Sequence, residues 1–341
     1  MKTVSVQDAI GMVLCHDVTQ IIPGETKGPA FRKGHVLQQE DIPRLLSMGK
    51  EHIYVWEVKN GLLHENDAAI RIAQAAAGQG IKLSEPKEGK VELIAERDGL
   101  LKIDVDTLYR VNEVDQVIFA TIHSNQRVKA GKAVAGTRII PLVIEENAIE
   151  LIEATCRERY PLIQVLPFQA PSVGIVTTGS EVYHQRIKDK FGPIVVRKLA
   201  DYGCEVIGQI YVSDRVDGIV EAIRSLLSQG AEMITVTGGM SVDPDDVTPA
   251  GIRASGGRVV TYGVPMLPGS MFMLAYIGDV PVLGLPGCVM YHSTSVFDVI
   301  LPRVLAGEEI ERRDLVKLAH GGLCVHCSEC RYPDCGFGKG A

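Results

Sequence analysis

The sequence predicts an α/β chain whose second half is a doubly wound, mostly parallel sheet. From Ser172 onward, apolar runs of five or six residues alternate with helical patterns, the rhythm of βαβ units whose strands are buried on both faces. Glycine-bearing turns close several of those runs, as strand-to-helix connections require. The composition, 46% apolar and 23% charged, supplies enough apolar surface for ordinary globular packing.

At 341 residues the chain is longer than one core usually grows. The expected organisation is an α+β region over residues 1–166, divisible into two subdomains, then an α/β domain over 170–308 and a short Cys-rich segment over 309–341. In the first region, Pro23-Gly24, Lys33-Gly34 and Asn60-Gly61 are turn signals. A helix is predicted over 41–48, ending at Gly49, followed by an apolar strand over 53–58, and a second helix over 67–77, ending at Gly78. The closely spaced Pro167 and Pro171 favour an extended linker.

Beyond that linker, strands are predicted over 173–177, 205–212, 233–237, 258–262 and 280–285. The clearest helix covers 216–229. Its apolar residues Ile219, Val220, Ile223, Leu226 and Leu227 share one face, Asp214 is placed to cap its start, and Gly230 to close its end.

The formal net charge of −7 argues against a nucleic-acid surface, which needs clustered Lys and Arg. Residues 1–17 lack the continuous apolar core of a secretory signal. No run of about 18 apolar residues predicts a membrane span, so a cytoplasmic protein without a membrane partner is expected. A homo-oligomer is the expected assembly. Four of the eight cysteines fall in the last eighteen residues, which in a reducing compartment points to metal ligation rather than disulfides.

In an open α/β sheet, ligands bind beyond the carboxyl ends of the strands. Three turns lie there: Thr177-Thr178-Gly179-Ser180-Glu181, the long segment from Thr237-Gly238-Gly239-Met240-Ser241 to Thr248-Pro249, and Leu285-Pro286-Gly287-Cys288. Gly238 and Gly239 let the backbone approach an anion, and the Ser241 and Thr248 hydroxyls add donors. The carboxylates Asp243, Asp245 and Asp246 would repel a phosphate unless magnesium sits between them. The plainer alternative is a solvated acidic loop whose Asp246 caps the next helix. Cys288 is either a thiol activated at a helix start or buried packing, and His292, one turn on, has the same two readings, with packing favoured for both.

Cys324, Cys327, Cys330 and Cys335 form C-x2-C-x2-C-x4-C in a Gly-rich segment too short for its own core. Zinc and an iron–sulfur cluster are both open, with His320 or His326 as substitute ligands, and the alternative is four reduced thiols on a disordered tail.

The three turns, in this order over about 110 residues, resemble the molybdenum cofactor biosynthesis domain, the family of molybdopterin adenylyltransferases and molybdenumtransferases. The segments Val264-Pro265-Met266-Leu267-Pro268-Gly269 and Pro281-Val282-Leu283-Gly284-Leu285-Pro286-Gly287 are more similar to the molybdenumtransferase branch. So is the long N-terminal region, where residues 4–18 resemble that branch's opening helix and strand. The resemblance implies a ligand, molybdopterin or its adenylate. It places Thr178, Gly179, Ser180, Gly238, Gly239, Met240, Ser241, Thr248, Pro286 and Gly287 at that ligand, Asp246 and Asp243 at magnesium, and Asp246, Glu181 and Asp243 in catalytic roles. Several features depart from the branch. Its Asp-Gly-Tyr-Ala motif is absent, Leu267 stands where it has lysine, Cys288 replaces its Asn or Ser, and the Cys-rich segment stands where it carries a terminal β domain. Two functions follow: magnesium-assisted insertion of molybdate into the pterin, or non-catalytic carriage of the cofactor to a molybdoenzyme that docks on the cysteine tail. A nucleotide-binding regulator on the same fold is a weaker third reading, since no Walker or G-x-G-x-x-G motif occurs.

Overall fold

The computed structural model describes residues 2–22, 26–55 and 61–340, which divide into two units. The first comprises residues 1–95, 104–122 and 131–164, and the second 96–103, 123–130 and 165–341.

In the first unit, Lys2–Ser5 pairs antiparallel with His52–Val55, and Val18–Ile22 with Thr26–Phe31. Val4, Leu14, Val18, Phe31, Leu45 and Ile53 close a small core between them. The chain therefore opens with a strand and a single 3-10 turn, Val6–Asp8, where a helix was expected. The helix predicted over 41–48 forms as Ile42–Ser47, and the strand after it as His52–Val55, with residues 56–58 lying outside the described residues. The second predicted helix is Glu65–Ala76, whose face of Ala68, Ala69, Ile72, Ala73 and Ala76 is buried. Its Arg71 bridges Glu146 (2.8 Å) and Glu153 (2.7 Å) on the helix Glu146–Glu158. A four-stranded antiparallel sheet, in the order Ile81–Leu83, Val91–Ala95, Ala133–Ile139, Val117–Thr121, went unread in the sequence.

The second unit holds a six-stranded sheet built from β1 (Ser172–Thr178), β2 (Glu205–Val212), β3 (Met233–Thr237), β4 (Arg258–Tyr262), β5 (Met273–Ile277) and β6 (Val280–Leu285). Their order is β2-β1-β3-β6-β5-β4. The first four in that order are mutually parallel, and β5 and β4 continue antiparallel. The helices are α1 (Ser180–Tyr183), α2 (Gly192–Ala200), α3 (Val216–Ser228), α4 (Thr248–Ala254), α5 (Cys288–Tyr291), α6 (Val296–Leu305) and α7 (Arg312–Lys317).

Successive strand residues point to opposite faces, and two apolar layers result. Val173, Ile175, Met233, Leu283, Leu285 and Leu274 pack with α2, α6 and α7. Val176, Ile234, Val236, Val282, Met273 and Ala275 pack with α3 and α4. The sheet is thus sandwiched, as its continuous apolar runs require. Close packing fixes small residues: a Cβ on Gly251 of α4 would lie 2.6 Å from Ile219 Cγ2 of α3. On α3, Gly230 adopts φ +93° just past the C-cap, as expected, but Asp214 does not cap its start.

The C-terminal segment, too short for its own core, packs into that of the α/β domain. Ile310, Leu315, Leu318 and Phe337 all belong to the α2/α6 layer, Phe337 only 6% exposed. Leu267 N–H donates to Gly322 O, and Cys324 N–H to Leu267 O, both at 2.8 Å. The segment is therefore integrated into the domain. Phe337→Ala should destabilise the chain by about 3 kcal/mol in urea unfolding, the usual cost of emptying a buried aromatic site. Truncation after Ala319 should lower the unfolding midpoint of the α/β domain, and an unchanged midpoint would show that the segment is energetically independent.

Candidate functional site

The register of the parallel strands brings the three turns together. Thr177 of β1 is the register partner of Thr237 of β3, and Thr237 is the partner of Leu285 of β6. Neighbouring strands lie about 4.8 Å apart, so three consecutive strand ends fall within about 10 Å. Strand order reverses between β1 and β3, since β1 runs next to β2 on one side and β3 on the other. That is the switch point at which open α/β sheets form clefts.

Threonine side chains bind the row internally. Thr237 Oγ1 donates to Thr177 Oγ1 (3.3 Å), and Gln209 of β2 donates to Thr177 Oγ1 (2.8 Å) and to Asp189 (2.7 Å). Asp189 in turn accepts from the Phe191 and Gly192 N–H groups at the start of α2. Thr178 Oγ1 donates to Thr237 O (3.2 Å) and shares a 3.1 Å hydrogen bond with Thr248 Oγ1. Thr178 and Thr248 are buried, so their hydroxyls hold the turns to one another. The expectation that they are ligand donors finds both already partnered within the protein.

Each turn has its own local cause. Gly238 and Gly239 both have positive φ, +87° and +55°, which glycine adopts without strain. A Cβ on Gly238 would collide with the Thr178 carbonyl, and one on Gly239 would lie 2.7 Å from Thr248 Oγ1. Gly179 has φ +135°, and the exposed Glu181 folds its carboxylate to 2.9 Å from where a Cβ would sit there. Ser180 N–H donates to Asp214 at 2.8 Å. Asp214, expected to cap α3, instead pins the first turn. At Gly287 φ is −55° and no described atom lies within 4 Å of a built Cβ, so neither conformation nor packing there demands glycine.

The long second turn has a buried anchor and an exposed acidic crest. Met240 is 3% exposed, and its sulfur and methyl pack on Gly284, so only its backbone remains for a ligand. Tyr262 of β4 donates to Met240 O (2.9 Å) and lies 3.2 Å from Ser241 O, holding the turn from the side. Burial, with the nearby Asp246 charge behind it, pushes the Tyr262 hydroxyl pKa up. Ser241, Asp243 and Asp245 are exposed and Asp246 half-buried. Asp246 accepts from the Asp243 N–H at 3.1 Å, closing the acidic turn on itself, while Val247 is the N-cap of α4. The alternative that Asp246 caps the helix is therefore corrected: it caps the loop.

Among the described residues, no group of three or more His, Cys, Asp or Glu side chains is gathered as a ready single-ion site, either at Asp243 and Asp246 or at Cys324, Cys327, Cys330 and Cys335. The magnesium and tail-metal sets read from the sequence are thus not preassembled. The helix-dipole reading of Cys288 fails as well, because burial pushes its thiol above the ordinary value. His292 lines a pocket beside the tail, its ring centroid 5.4 Å from that of His326. Sequence reasoning missed Asp189, Gln209 and Tyr262 and gave Asp214 the role of a helix cap. Gln209, Asp214 and Tyr262 act through partners distant in the chain, and Asp189 links Gln209 to the Phe191 and Gly192 N–H groups.

No helix among the described residues is long and apolar enough to cross a membrane. Residues 174–306 match the family model of a probable molybdopterin binding domain, and residues 3–57 match a domain of unknown function. A CinA-like protein of Mycobacterium sp. (strain MCS) is 34% identical over 85 residues, 25% of this chain and 20% of that one. A CinA-like protein of Mycobacterium avium (strain 104) is 36% identical over 75 residues, 22% and 17%. The chain thus spans about a fifth of the length of these curated relatives. Among solved structures, the molybdopterin biosynthesis enzyme MoaB of Thermus thermophilus is 21% identical with TM-score 0.34, covering 40% of this chain and 98% of that one. The Mog protein of Mycobacterium ulcerans is also 21% identical, with TM-score 0.31 and coverage of 40% and 93%. At such scores these two carry no weight beside the family match. Residues 174–306 are a molybdopterin-binding domain of the molybdenum cofactor biosynthesis family.

Proposed function

We propose that this domain binds molybdopterin or its adenylate across the ends of β1, β3 and β6, and inserts molybdate into it in a molybdenumtransferase-like reaction assisted by magnesium. The observation that carries the reading is the single register row Thr177–Thr237–Leu285, which sets three glycine-bearing turns side by side at the switch point of a family-matched domain. Gly179, Ser180, Gly238, Gly239, Ser241, Pro286 and Gly287 would supply backbone approach and donors to the phosphate and pterin. The hard oxygen donors of Asp243 and Asp246 suit magnesium, which would neutralise phosphate charge when bound. One Asp246 oxygen is committed to its own loop, so Asp246 would hold the turn in shape while ligating. Glu181, folded back over Gly179, would complete the polar rim.

A second reading, a carrier that delivers the cofactor to a molybdoenzyme, is favoured by a specific contact. Leu267 stands where the molybdenumtransferase branch has lysine, and its backbone is hydrogen-bonded on both sides to the cysteine segment. That position is given over to structure. A molybdate-insertion assay separates the two: a carrier binds the pterin without turnover.

Asp246→Ala should weaken molybdopterin binding at least tenfold in calorimetry with magnesium present, about 1.4 kcal/mol. Equal affinity of parent and variant would remove the acidic turn from the site. Gly239→Val should abolish binding while costing roughly 1–3 kcal/mol of stability, because valine is strained at φ +55° and meets the Thr178–Thr248 hydroxyl pair. Unchanged affinity would show that this turn does not approach the ligand, and a lost helical signal would place Gly239 in the fold instead.

A further inference from the structure

The four C-terminal cysteines line one pocket of about 380 Å³, shared with His292, Thr294 and Tyr332. The loop that carries them is closed at its base. Gly338 N–H donates to Gly321 O at 2.9 Å, and a Cβ on Gly321 would lie 2.9 Å from Gly336 O. It is also anchored to the domain at several points. The Leu267 backbone pairs with Gly322 and Cys324, the Tyr332 hydroxyl donates to Asp298 O at 3.2 Å, and Phe337 is buried in the core. Cys330 Sγ lies 3.3 Å from Thr294 Oγ1, across the pocket's other wall. The polypeptide therefore holds the loop in place and keeps its thiols around a common cavity.

The room in that pocket, taken with the cysteine spacing, favours the larger of the two groups the spacing leaves open. Zinc needs four sulfurs at about 2.3 Å, hence within about 4 Å of one another. The pocket the four cysteines share, about 380 Å³, has more room than a single ion needs. In a four-iron cluster each thiolate binds its own iron, so the sulfurs stand apart around a larger body. Three cysteines at successive two-residue gaps, with a fourth shortly after, distribute thiols around such a body. We propose that Cys324, Cys327, Cys330 and Cys335 bind a [4Fe–4S] cluster in this pocket. Each thiol loses its proton as its sulfur bonds to one iron, so four protons leave for one cluster gained. The site abuts Tyr291–Thr294, at and just past the end of the α5 helix that follows Pro286-Gly287. It stands on the loop's own geometry, whether or not that turn touches a pterin.

The test uses the full chain under anaerobic conditions, reconstituted with ferrous and ferric iron in equal amounts and with sulfide. About four irons and four sulfides per chain are expected, with visible absorption that bleaches on adding dithionite. The double variant Cys327→Ser, Cys330→Ser alters exposed residues. It should take up less than a quarter of that iron while keeping the parent's thermal unfolding, whereas Cys204→Ala, in the domain core, should load fully. Stoichiometric zinc without sulfide, equal loading of the double variant, or no iron in the reconstituted parent would each overturn the proposal. Because the readout is iron and sulfide, none of these outcomes bears on pterin binding.

Discussion

The hydrogen-bond register between β1, β3 and β6 is the constraint on which the rest of the site depends. Once Val173–Thr177 pairs in parallel with Met233–Thr237, and Ile234–Thr237 with Val282–Leu285, the three strands must end level. A slip of one residue would swap the two faces, moving Ile234 and Val236 out of the layer packed with α3 and α4 and into the one packed with α2 and α6, where neither fits the space left. The register is thus enforced by both cores at once. The turns inherit their alignment from the packing of these two layers, and the exposed turn residues contribute little to it.

Within that alignment, threonine does what a longer or apolar residue could not. Thr177, Thr178, Thr237 and Thr248 are buried at the sheet end, where an unpaired hydroxyl would cost about 1–3 kcal/mol. Each instead finds another hydroxyl, a carbonyl or the Gln209 amide. The resulting network ties β1, β2, β3 and the start of α4 together beneath the glycine turns. It leaves the exposed carboxylates above it supported by a fixed base, and Tyr262 braces the same loop from the antiparallel edge. Rigid support beneath a polar crest is the arrangement that preorganises a binding loop.

The C-terminal segment shows a different economy. Its apolar residues Ile310, Leu315, Leu318 and Phe337 are individually unremarkable in sequence, separated by charge and glycine. Together they complete the layer formed by α2 and α6. Anchoring the segment through the core leaves the cysteines between Cys324 and Cys335 on a loop whose ends are held by backbone hydrogen bonds and whose thiols line one pocket. The same docking covers the Leu267 backbone and sets His292 beside His326.

The sequence by itself determined the α/β half of the chain. The five strands read there form, four with the same bounds, because runs such as Val280–Leu285 are apolar on both faces and are buried between helix layers. The three turns were legible too, since Gly238 and Gly239 carry a conformational requirement that residue type alone reveals. Tertiary structure decided what each polar residue does. Asp214 has the spacing of a helix cap yet binds the Ser180 N–H, because β2 delivers it beside the first turn. Asp246 closes its own loop, and Thr178 and Thr248 spend their hydroxyls on each other. In the antiparallel sheet of the first unit the central pairing joins Val91–Ala95 to the distant Ala133–Ile139, whereas strand β5 pairs locally with β6, Ile277 opposite Val280, and was not read as a separate strand. For Cys288, burial bears out the packing reading favoured over a thiol activated at a helix start, and Phe337 looked like part of a tail until the core closed over it. In each case local pattern fixes backbone conformation over a few residues, whereas partner, burial and charge environment come from chain segments that only the folded register brings near.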